Sequence, residues 1–282
     1  MIIDIHTHTF PEKISKRAVE ALSQASHCRP YTDASDTGLI LSMEKAGVDL
    51  SVIQPVATNP GQVVKVNDSA ARILETYASK GLHSFGCMHP DFADYRKELS
   101  RIKELGLKGV KLHPVYQETD FDDIRYLRIL DRAAELGLIV LTHGGQDIGF
   151  PGVVRVSPAQ CRHAIDQVGP FTLIVAHMGG WRDWKEVPDA LKGTGVYIDT
   201  AFSTGAFEPL SDGYWKAGEE KMLDEASFTS LVHEMGAECV LFGSDSPWSD
   251  QKTSIDFIRR TSLTEEEKTA ILGENAKKLL FP

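Results

Sequence analysis

The chain has 282 residues, of which 42% are hydrophobic and 25% charged, the composition of an ordinary globular protein. Its net charge of −10 argues against nucleic acid and anionic membranes as partners, because both attract basic proteins. No apolar run approaches the roughly 18 residues of a membrane span. The first residues lack the basic-then-apolar order of a secretory signal. Four scattered cysteines without a CxxC pair predict reduced thiols, so we expect a cytoplasmic protein.

Short apolar, β-branched runs recur along the whole chain and predict eight strands. Most of these runs are uniformly apolar rather than alternating, which is typical of parallel strands buried on both faces. The predicted strands span 1–5, 49–55, 82–87, 106–114, 137–143, 171–177, 195–200 and 239–245.

Longer amphipathic segments separate the strands and predict helices. Apolar residues at helical spacing indicate helices over 95–105 and 123–136. The stretch 11–48 predicts two helical pieces joined by a loop around Pro30. A second excursion, 201–237, contains a predicted helix near its C-terminal end, at 219–235.

The alternation of eight β and α units predicts an α/β fold, a (β/α)8 TIM barrel that forms one domain over residues 1–282. An open doubly wound sheet is the alternative. No strand is followed by the glycine-rich phosphate loop that such a sheet uses for nucleotides, which favours the barrel.

The first predicted strand ends in the sequence DIHTH. Side chains on a regular strand alternate between faces, so Asp4, His6 and His8 are expected to share one face. Two neutral imidazoles side by side are a poor hydrophobic core and a good pair of ligands for a transition metal.

Further polar residues lie at the ends of other predicted strands. In a (β/α)8 barrel the carboxyl ends of the strands meet at one mouth, where the active site forms. Imidazoles and one carboxylate converging there suit a divalent ion, with zinc preferred and manganese as the alternative. These residues are His89, Lys111, His113, His143, His177 and Asp245.

The orientation of Lys111 stays open in the sequence. A lysine inside an apolar strand is costly to bury unmodified and unpaired, which favours a role at the site. It is equally able to point outward and extend its ammonium group to solvent between the helices. If Lys111 points inward, alternation places His113 on the same face, near the mouth.

The ordered set HTH at 6–8, KLHP at 111–114, His143, AHMGG at 176–180 and GSDSPW at 243–248 resembles the amidohydrolase superfamily. The motifs are most similar to the branch that includes aminocarboxymuconate semialdehyde decarboxylase. This resemblance implies a metal-dependent (β/α)8 barrel. Most such enzymes hydrolyse C–N, C–O or P–O bonds, and a minority decarboxylate or hydrate.

The resemblance also implies individual roles. It makes His6, His8, His143 and Asp245 metal ligands, with Asp245 also taking the proton of the attacking water. His177 becomes either a ligand of a second ion or an acid/base group beside a single ion. Lys111 corresponds to a lysine that is carboxylated and bridges two ions in binuclear members, so one or two ions are expected.

The leading functional prediction is therefore a metal-dependent hydrolase of a small-molecule amide, lactone or ester. The first alternative is a metal-dependent decarboxylase of an unsaturated or aromatic acid, with His177 as its acid/base. The second alternative is a catalytically silent barrel that binds a ligand.

Substrate contacts are expected from His113 and Trp248, the latter just after the strand-eight aspartate. The segment 151–158 follows strand five and is a candidate lid, with a plain connector as the alternative. Homo-oligomerisation is expected through exposed aromatic residues of the second excursion, namely Phe202, Phe207, Tyr214 and Trp215.

Overall fold

The computed structural model describes residues 1–282 and contains nine short strands. All strand pairs are parallel, in agreement with the uniformly apolar runs. The strands are β1 Ile3–Thr7, β2 Leu50–Ile53, β3 Leu82–Ser84, β4 Gly86–Cys87, β5 Gly109–Leu112, β6 Ile139–Thr142, β7 Leu173–Val175, β8 Tyr197–Asp199 and β9 Val240–Leu241.

Eleven α-helices connect or follow the strands. They are α1 Glu12–Ser26, α2 Asp36–Ala46, α3 Val63–Tyr77, α4 Tyr95–Glu104, α5 Ile124–Leu136, α6 Pro158–Val168, α7 Val187–Leu191, α8 Glu225–Met235, α9 Gln251–Arg260, α10 Glu265–Thr269 and α11 Asn275–Leu280. A π-helical turn, Ala270–Glu274, joins the last two. No helix combines the length and the apolar character needed to cross a membrane.

The strands form one (β/α)8 barrel, which confirms the predicted fold. β1–β2–β3 and β4–β9 each pair in chain order. The predicted third strand is interrupted at Phe85, whose backbone N–H donates to Ile53 O at 2.9 Å and so joins the two sheets there. At the other junction the Ile5 N–H donates to Phe242 O at 2.9 Å.

Apolar side chains pack on both faces of the strands, inside the barrel and between the strands and the helices. Twelve buried residues, Ile3, Leu141 and Ile174 among them, form a cluster inside the barrel. Leu141 pairs in register with Lys111, which places Lys111 on this same inner face. A larger cluster of 47 buried residues lies between strands and helices and includes Leu112. Lys111 therefore points inward, and its neighbour Leu112 packs outward.

Strand β1 is irregular, which overturns one expectation from the sequence. Its register against β2 shifts between Asp4 and Thr7. Asp4 consequently does not share a face with the histidines: it accepts hydrogen bonds from Ser244 Oγ at 2.6 Å and from Gln251 Nε2 of α9 at 2.7 Å. A register shift of this kind re-aims side chains and is common beside active sites.

The two excursions differ in how well the sequence predicted them. The first contains α1 and α2, as expected. The second is irregular until α8 begins at Glu225, so the prediction of a helix from 219 was too long.

Phe202 and Phe207 are buried, at 5% and 3% exposure, and are not available for an oligomer contact. They pack in a small cluster with Cys28 and Trp181, which gives them a structural partner within the chain.

Candidate active site

A cavity of about 490 Å³ opens at the carboxyl ends of the strands. Most of the predicted site residues line it, as barrel geometry requires. Lys111 is the only lysine or arginine among the lining residues. The predicted residues at its surface are His6, His8, Lys111, His113, His143, His177, Asp245 and Trp248.

A buried carboxylate orients His6. Asp199, at the end of β8, accepts a hydrogen bond from His6 Nδ1 at 2.8 Å, and both side chains are buried. The His6 proton therefore resides on Nδ1, and the lone pair of Nε2 points into the cavity. Carboxylate–histidine pairs of this kind fix the ring orientation and raise the basicity of a metal ligand.

The atoms around His6 Nε2 have the spacing of a metal-ligand set. His6 Nε2 lies 3.2 Å from His8 Nε2 and 3.4 Å from Asp245 Oδ1, and His8 Nε2 lies 3.1 Å from Asp245 Oδ1. Ligand bonds of 2.0–2.1 Å in a tetrahedral site give ligand–ligand distances of about 3.3 Å. His6, His8 and Asp245 therefore fit one face of a divalent-cation site.

His143 and His177 form a second pair whose protons can be assigned. His177 Nδ1 donates to Ala201 O at 2.9 Å, and His143 Nε2 donates to Gln146 O at 3.1 Å, because a carbonyl oxygen only accepts. In the neutral rings the remaining nitrogens, His177 Nε2 and His143 Nδ1, bear lone pairs, yet they face each other at 3.0 Å. Two lone pairs at this distance repel unless a cation or an additional proton lies beside them.

Burial keeps the imidazoles neutral. Loss of solvation lowers the pKa of His6 and His143 well below the usual range, and it lowers the pKa of His177 as well. The neighbouring ammonium group of Lys111 adds to the effect at His6. Neutral imidazoles are the form that binds metal, so the electrostatics favour ligation over protonation.

Asp245 remains ionised despite its burial. Desolvation alone raises its pKa, but the hydrogen bond from His8 and the electrostatic interactions with the surrounding imidazoles outweigh that effect, and the pKa is lowered. Its backbone adopts a left-handed φ of 66°, fixed by the hydrogen bond from Asp245 N to His6 O at 2.8 Å. Strained backbone held by its surroundings is frequent at functional sites.

Lys111 lies at the centre of this arrangement. It is 1% exposed, and its Nζ lies 3.2 Å from His6 Nε2. Burial lowers its pKa to about 8, although the charges of Asp199, Asp245 and Asp147 act in the opposite direction. A lysine with this pKa is partly neutral near physiological pH, the state in which lysines react as nucleophiles.

Asp147 and His113 line the cavity beside His143, on which the His113 ring stacks with ring centroids 4.6 Å apart. Asp147 Oδ1 accepts a hydrogen bond from Gly149 N at 2.8 Å. Its Oδ2 lies 3.6 Å from His113 Nε2 and 4.0 Å from His143 Nε2, beyond hydrogen-bond length. Burial raises the pKa of Asp147 to about 6.

Close backbone packing brings the loops after β6 and β7 together. A Cβ on Gly144 would lie 2.4 Å from Ala176 O and 3.3 Å from Gly180 N. Only glycine fits such an approach, and it brings His143 and His177 into contact. This explains the glycine that directly follows His143.

Aromatic side chains form much of the remaining surface. Trp248 lines the cavity together with Phe10, Phe150, Trp181 and Phe202. The segment 151–158 does not line it; residues Gln146 to Phe150 do, and they occupy the place expected for the candidate lid. His89 is buried outside the cavity, where its Nδ1 accepts a hydrogen bond from Asp91 N at 3.1 Å.

Two carboxylates of the site were missed by sequence reasoning. Asp199 ends an apolar strand in the run GVYIDT, and an acidic residue at that position was a signal available in the sequence. Asp147 follows HGGQ in a loop, where nothing local distinguishes it from a surface aspartate.

A family model described as Amidohydrolase matches residues 3–281. A search of curated proteins found no match.

Many solved structures share the fold at low sequence identity. The chain is similar to 5-carboxyvanillate decarboxylase from Sphingomonas paucimobilis (16% identity, 99% and 98% of the two chains covered, TM-score 0.67). It is similar to a dihydroxybenzoic acid decarboxylase from Polaromonas sp. JS666 with bound manganese and 2-nitroresorcinol (15%, 99% and 96%, 0.65). It also resembles a putative 2-pyrone-4,6-dicarboxylic acid hydrolase from Pseudomonas putida (18%, 99% and 97%, 0.64).

Proposed function

Because the chain belongs to the amidohydrolase family, we propose that it is a metal-dependent hydrolase of a small-molecule amide, lactone or ester. One observation carries the proposal. The lone pairs of His143 Nδ1 and His177 Nε2 face each other at 3.0 Å in the cavity that also holds His6, His8 and Asp245. A cation beside these two nitrogens relieves the repulsion, and burial disfavours the alternative of an additional proton because it lowers the pKa of both rings.

The ligands of the proposed ion are His6, His8, His143 and Asp245, with zinc preferred and manganese as the alternative. The manganese bound by the Polaromonas relative supports a divalent ion in this fold. When bound, such an ion supplies Lewis acidity, which makes water acidic enough to lose a proton near neutral pH. His177 lies in contact with His143 and serves as the acid/base group beside a single ion.

Asp245 moves the proton in the proposed reaction. Its lowered pKa keeps it ionised at neutral pH, so it can accept a proton from the attacking water. The proton then passes to the leaving group. His177 stabilises the negative charge that develops on the substrate oxygen, provided its Nε2 carries a proton at that stage.

Lys111 decides between one ion and two. Its inward orientation satisfies the first requirement for a carboxylated lysine that bridges two ions, with His177 as a ligand of the second. An unmodified, protonated Lys111 at 3.2 Å from His6 Nε2 instead repels a second cation and leaves room for a single ion.

Decarboxylation of an aromatic or unsaturated acid is the second candidate. Six aromatic side chains line the cavity besides its histidines, which suits a flat apolar substrate. Two of the similar structures are decarboxylases of aromatic acids. The two reactions differ in their products, because only decarboxylation releases CO2 and consumes no net water.

The deciding experiment is elemental analysis of protein purified without chelator or added metal. About one zinc or manganese per chain supports the mononuclear site, and about two supports a bridging Lys111. Protein that contains none and takes up none on reconstitution with zinc or manganese would falsify the proposal. We expect such a small-molecule enzyme to act in the cytoplasm, without nucleic-acid or membrane partners.

A further inference from the structure

We propose that Asp147 and His113 form a subsite that recognises a hydroxyl group of the substrate. The inference rests on the proposed function and names a substrate feature for the same cavity. It begins from Asp147 Oδ2, a carboxylate oxygen in the cavity wall that accepts no hydrogen bond. The residue is only 7% exposed, so bulk water has little access to supply the missing hydrogen bond to Oδ2.

His113 presents a donor beside this acceptor. The backbone N–H of Tyr116 donates to His113 Nδ1 at 3.4 Å, so the proton of the neutral ring resides on Nε2. Because Nδ1 accepts a hydrogen bond, it carries no proton, and the ring is neutral. The Nε2–H group lies 3.6 Å from Asp147 Oδ2, which is close but longer than a hydrogen bond.

The cavity wall thus offers one donor and one acceptor 3.6 Å apart. A hydroxyl group satisfies both, because it donates to Asp147 Oδ2 and accepts from His113 Nε2–H. An ammonium or amide N–H group satisfies only Asp147. A carboxylate accepts from His113 but is repelled by Asp147. The pair therefore discriminates in favour of a neutral hydroxyl.

Aromatic rings beside the pair indicate what carries that hydroxyl. Tyr116 stacks on His113 with ring centroids 3.9 Å apart and planes at 21°. Phe150 lies 5.3 Å from Tyr116, centroid to centroid, at the edge of the cavity. A flat ring fits against such a surface, so the preferred ligand is a hydroxylated aromatic ring.

A second cation is the competing occupant, because ligand atoms of His113, His143 and Asp147 all lie within 4.8 Å of one another. The proton assignments argue against it. His143 Nε2 donates to Gln146 O, and His113 Nε2 carries the proton fixed by Tyr116. Neither nitrogen near Asp147 Oδ2 has a free lone pair for a metal.

The test compares ligands that differ only in the hydroxyl. Benzoate and the 2-, 3- and 4-hydroxybenzoates share a carboxylate that can bind at the proposed metal, whichever reaction the enzyme performs. Their dissociation constants are measured by calorimetry on manganese-loaded protein. We expect at least one hydroxybenzoate to bind about tenfold more tightly than benzoate, the effect of a hydrogen bond to a charged group.

Replacement of the subsite residues should remove that preference. In Asp147→Ala and in His113→Phe, the ratio of the two dissociation constants is expected to fall to about twofold or less. If Asp147 acted only through its negative charge, its removal would strengthen the binding of all four anions equally and leave the ratio of dissociation constants unchanged. Asp147→Asn keeps the shape of the side chain and provides the measurement if the alanine variant does not fold. Asp120→Ala, which removes an exposed carboxylate paired with Arg155, should retain the wild-type ratio.

Metal content of the same samples separates the two proposals. Protein that holds no manganese refutes the proposed function. Metal-loaded protein that binds all four probes equally, or none of them, overturns the hydroxyl subsite alone. Loss of a bound ion in Asp147→Ala would also overturn it, since it would identify the second cation as the true occupant.

Discussion

Two groups of residues in and behind the cavity surface both contain imidazoles and carboxylates. In one group these side chains are in close polar contact, and in the other they are not. We call His6, His8, Asp199 and Asp245 the metal wall, and His113 with Asp147 the hydroxyl wall. In the metal wall every contact is between 2.8 and 3.4 Å, and Asp199 fixes the ring of His6. In the hydroxyl wall the imidazole and the carboxylate remain 3.6 Å apart.

If both proposals hold, one barrel mouth separates metal binding from recognition of a substrate hydroxyl. If the proposed ion binds at the metal wall, its ligand atoms already lie close together at neighbouring strand ends before the ion arrives. The hydroxyl wall combines a strand-end residue with a loop residue and leaves its polar atoms for a ligand. Changes in the first wall should alter metal binding and turnover, and changes in the second should alter ligand choice.

Asp245→Asn should have the largest effect. The amide cannot accept the proton of the attacking water, so kcat should fall by about 10²- to 10⁴-fold. Turnover is measured on a substrate found by screening lactones, esters, amides and aromatic acids. Circular dichroism should show an intact fold. A variant that retains wild-type kcat would refute the assigned role of Asp245.

Asp199→Ala should weaken metal binding by about 10- to 100-fold, because His6 loses the carboxylate that fixes its ring. Chelator competition measures this loss. Asp212→Ala is the matched control, since Asp212 also bonds a histidine, His27 Nδ1 at 2.7 Å, but on the surface. Equal metal affinity in both variants would mean that the metal wall is not preorganised by Asp199.

Lys111 makes the stability of the metal-free protein depend on pH. Its pKa is about 8 in the folded chain and near 10.5 when exposed. Between these values the unfolded chain binds more protons, so stability should rise with pH, by about 1 to 2 kcal/mol from pH 8 to 9.5. Thermal unfolding at several pH values measures the slope, and Lys111→Met should lack this contribution. A wild-type slope as flat as that of the variant would show that Lys111 is not buried as an amine.

Asp147→Asn should have the smallest effect on the metal. Asp147 belongs to the hydroxyl wall and is not needed to hold the ion, so metal content should stay at the wild-type value. Elemental analysis of the two proteins in parallel decides the point. A metal content below wild type would show that Asp147 takes part in binding the ion, so that the metal wall and the hydroxyl wall form one centre.

Regular features of the sequence were sufficient to predict the fold and to bring most of the candidate site residues to one cavity. Uniformly apolar runs predicted the parallel strands, and the periodicity of 123–136 predicted α5 to within one residue. Barrel geometry then placed His143, His177 and Asp245 at one mouth from their positions at strand ends. Such inferences succeed because burial on both faces and convergence at the carboxyl ends are properties of every such barrel.

Irregular features were beyond the same reasoning. Alternation placed Asp4 with the histidines, but the register shift in β1 turns it toward Ser244 and Gln251. Aromatic residues of the second excursion appeared exposed, but Phe202 and Phe207 are covered by Trp181 and Cys28. Local pattern cannot report such features, because each depends on a neighbour distant in the chain.

By itself, the sequence determined that most of the histidines and Asp245 lie at the ends of strands, since strand position and residue type are local properties. Only the tertiary structure decided how they are used. It turned Lys111 inward, and it joined His6 to Asp199 across 193 positions of chain. It also left Asp147 Oδ2 without a hydrogen-bond donor, 3.6 Å from His113 Nε2. Hydrogen-bond partners and burial set proton positions and pKa values, and both exist only once distant segments are packed together.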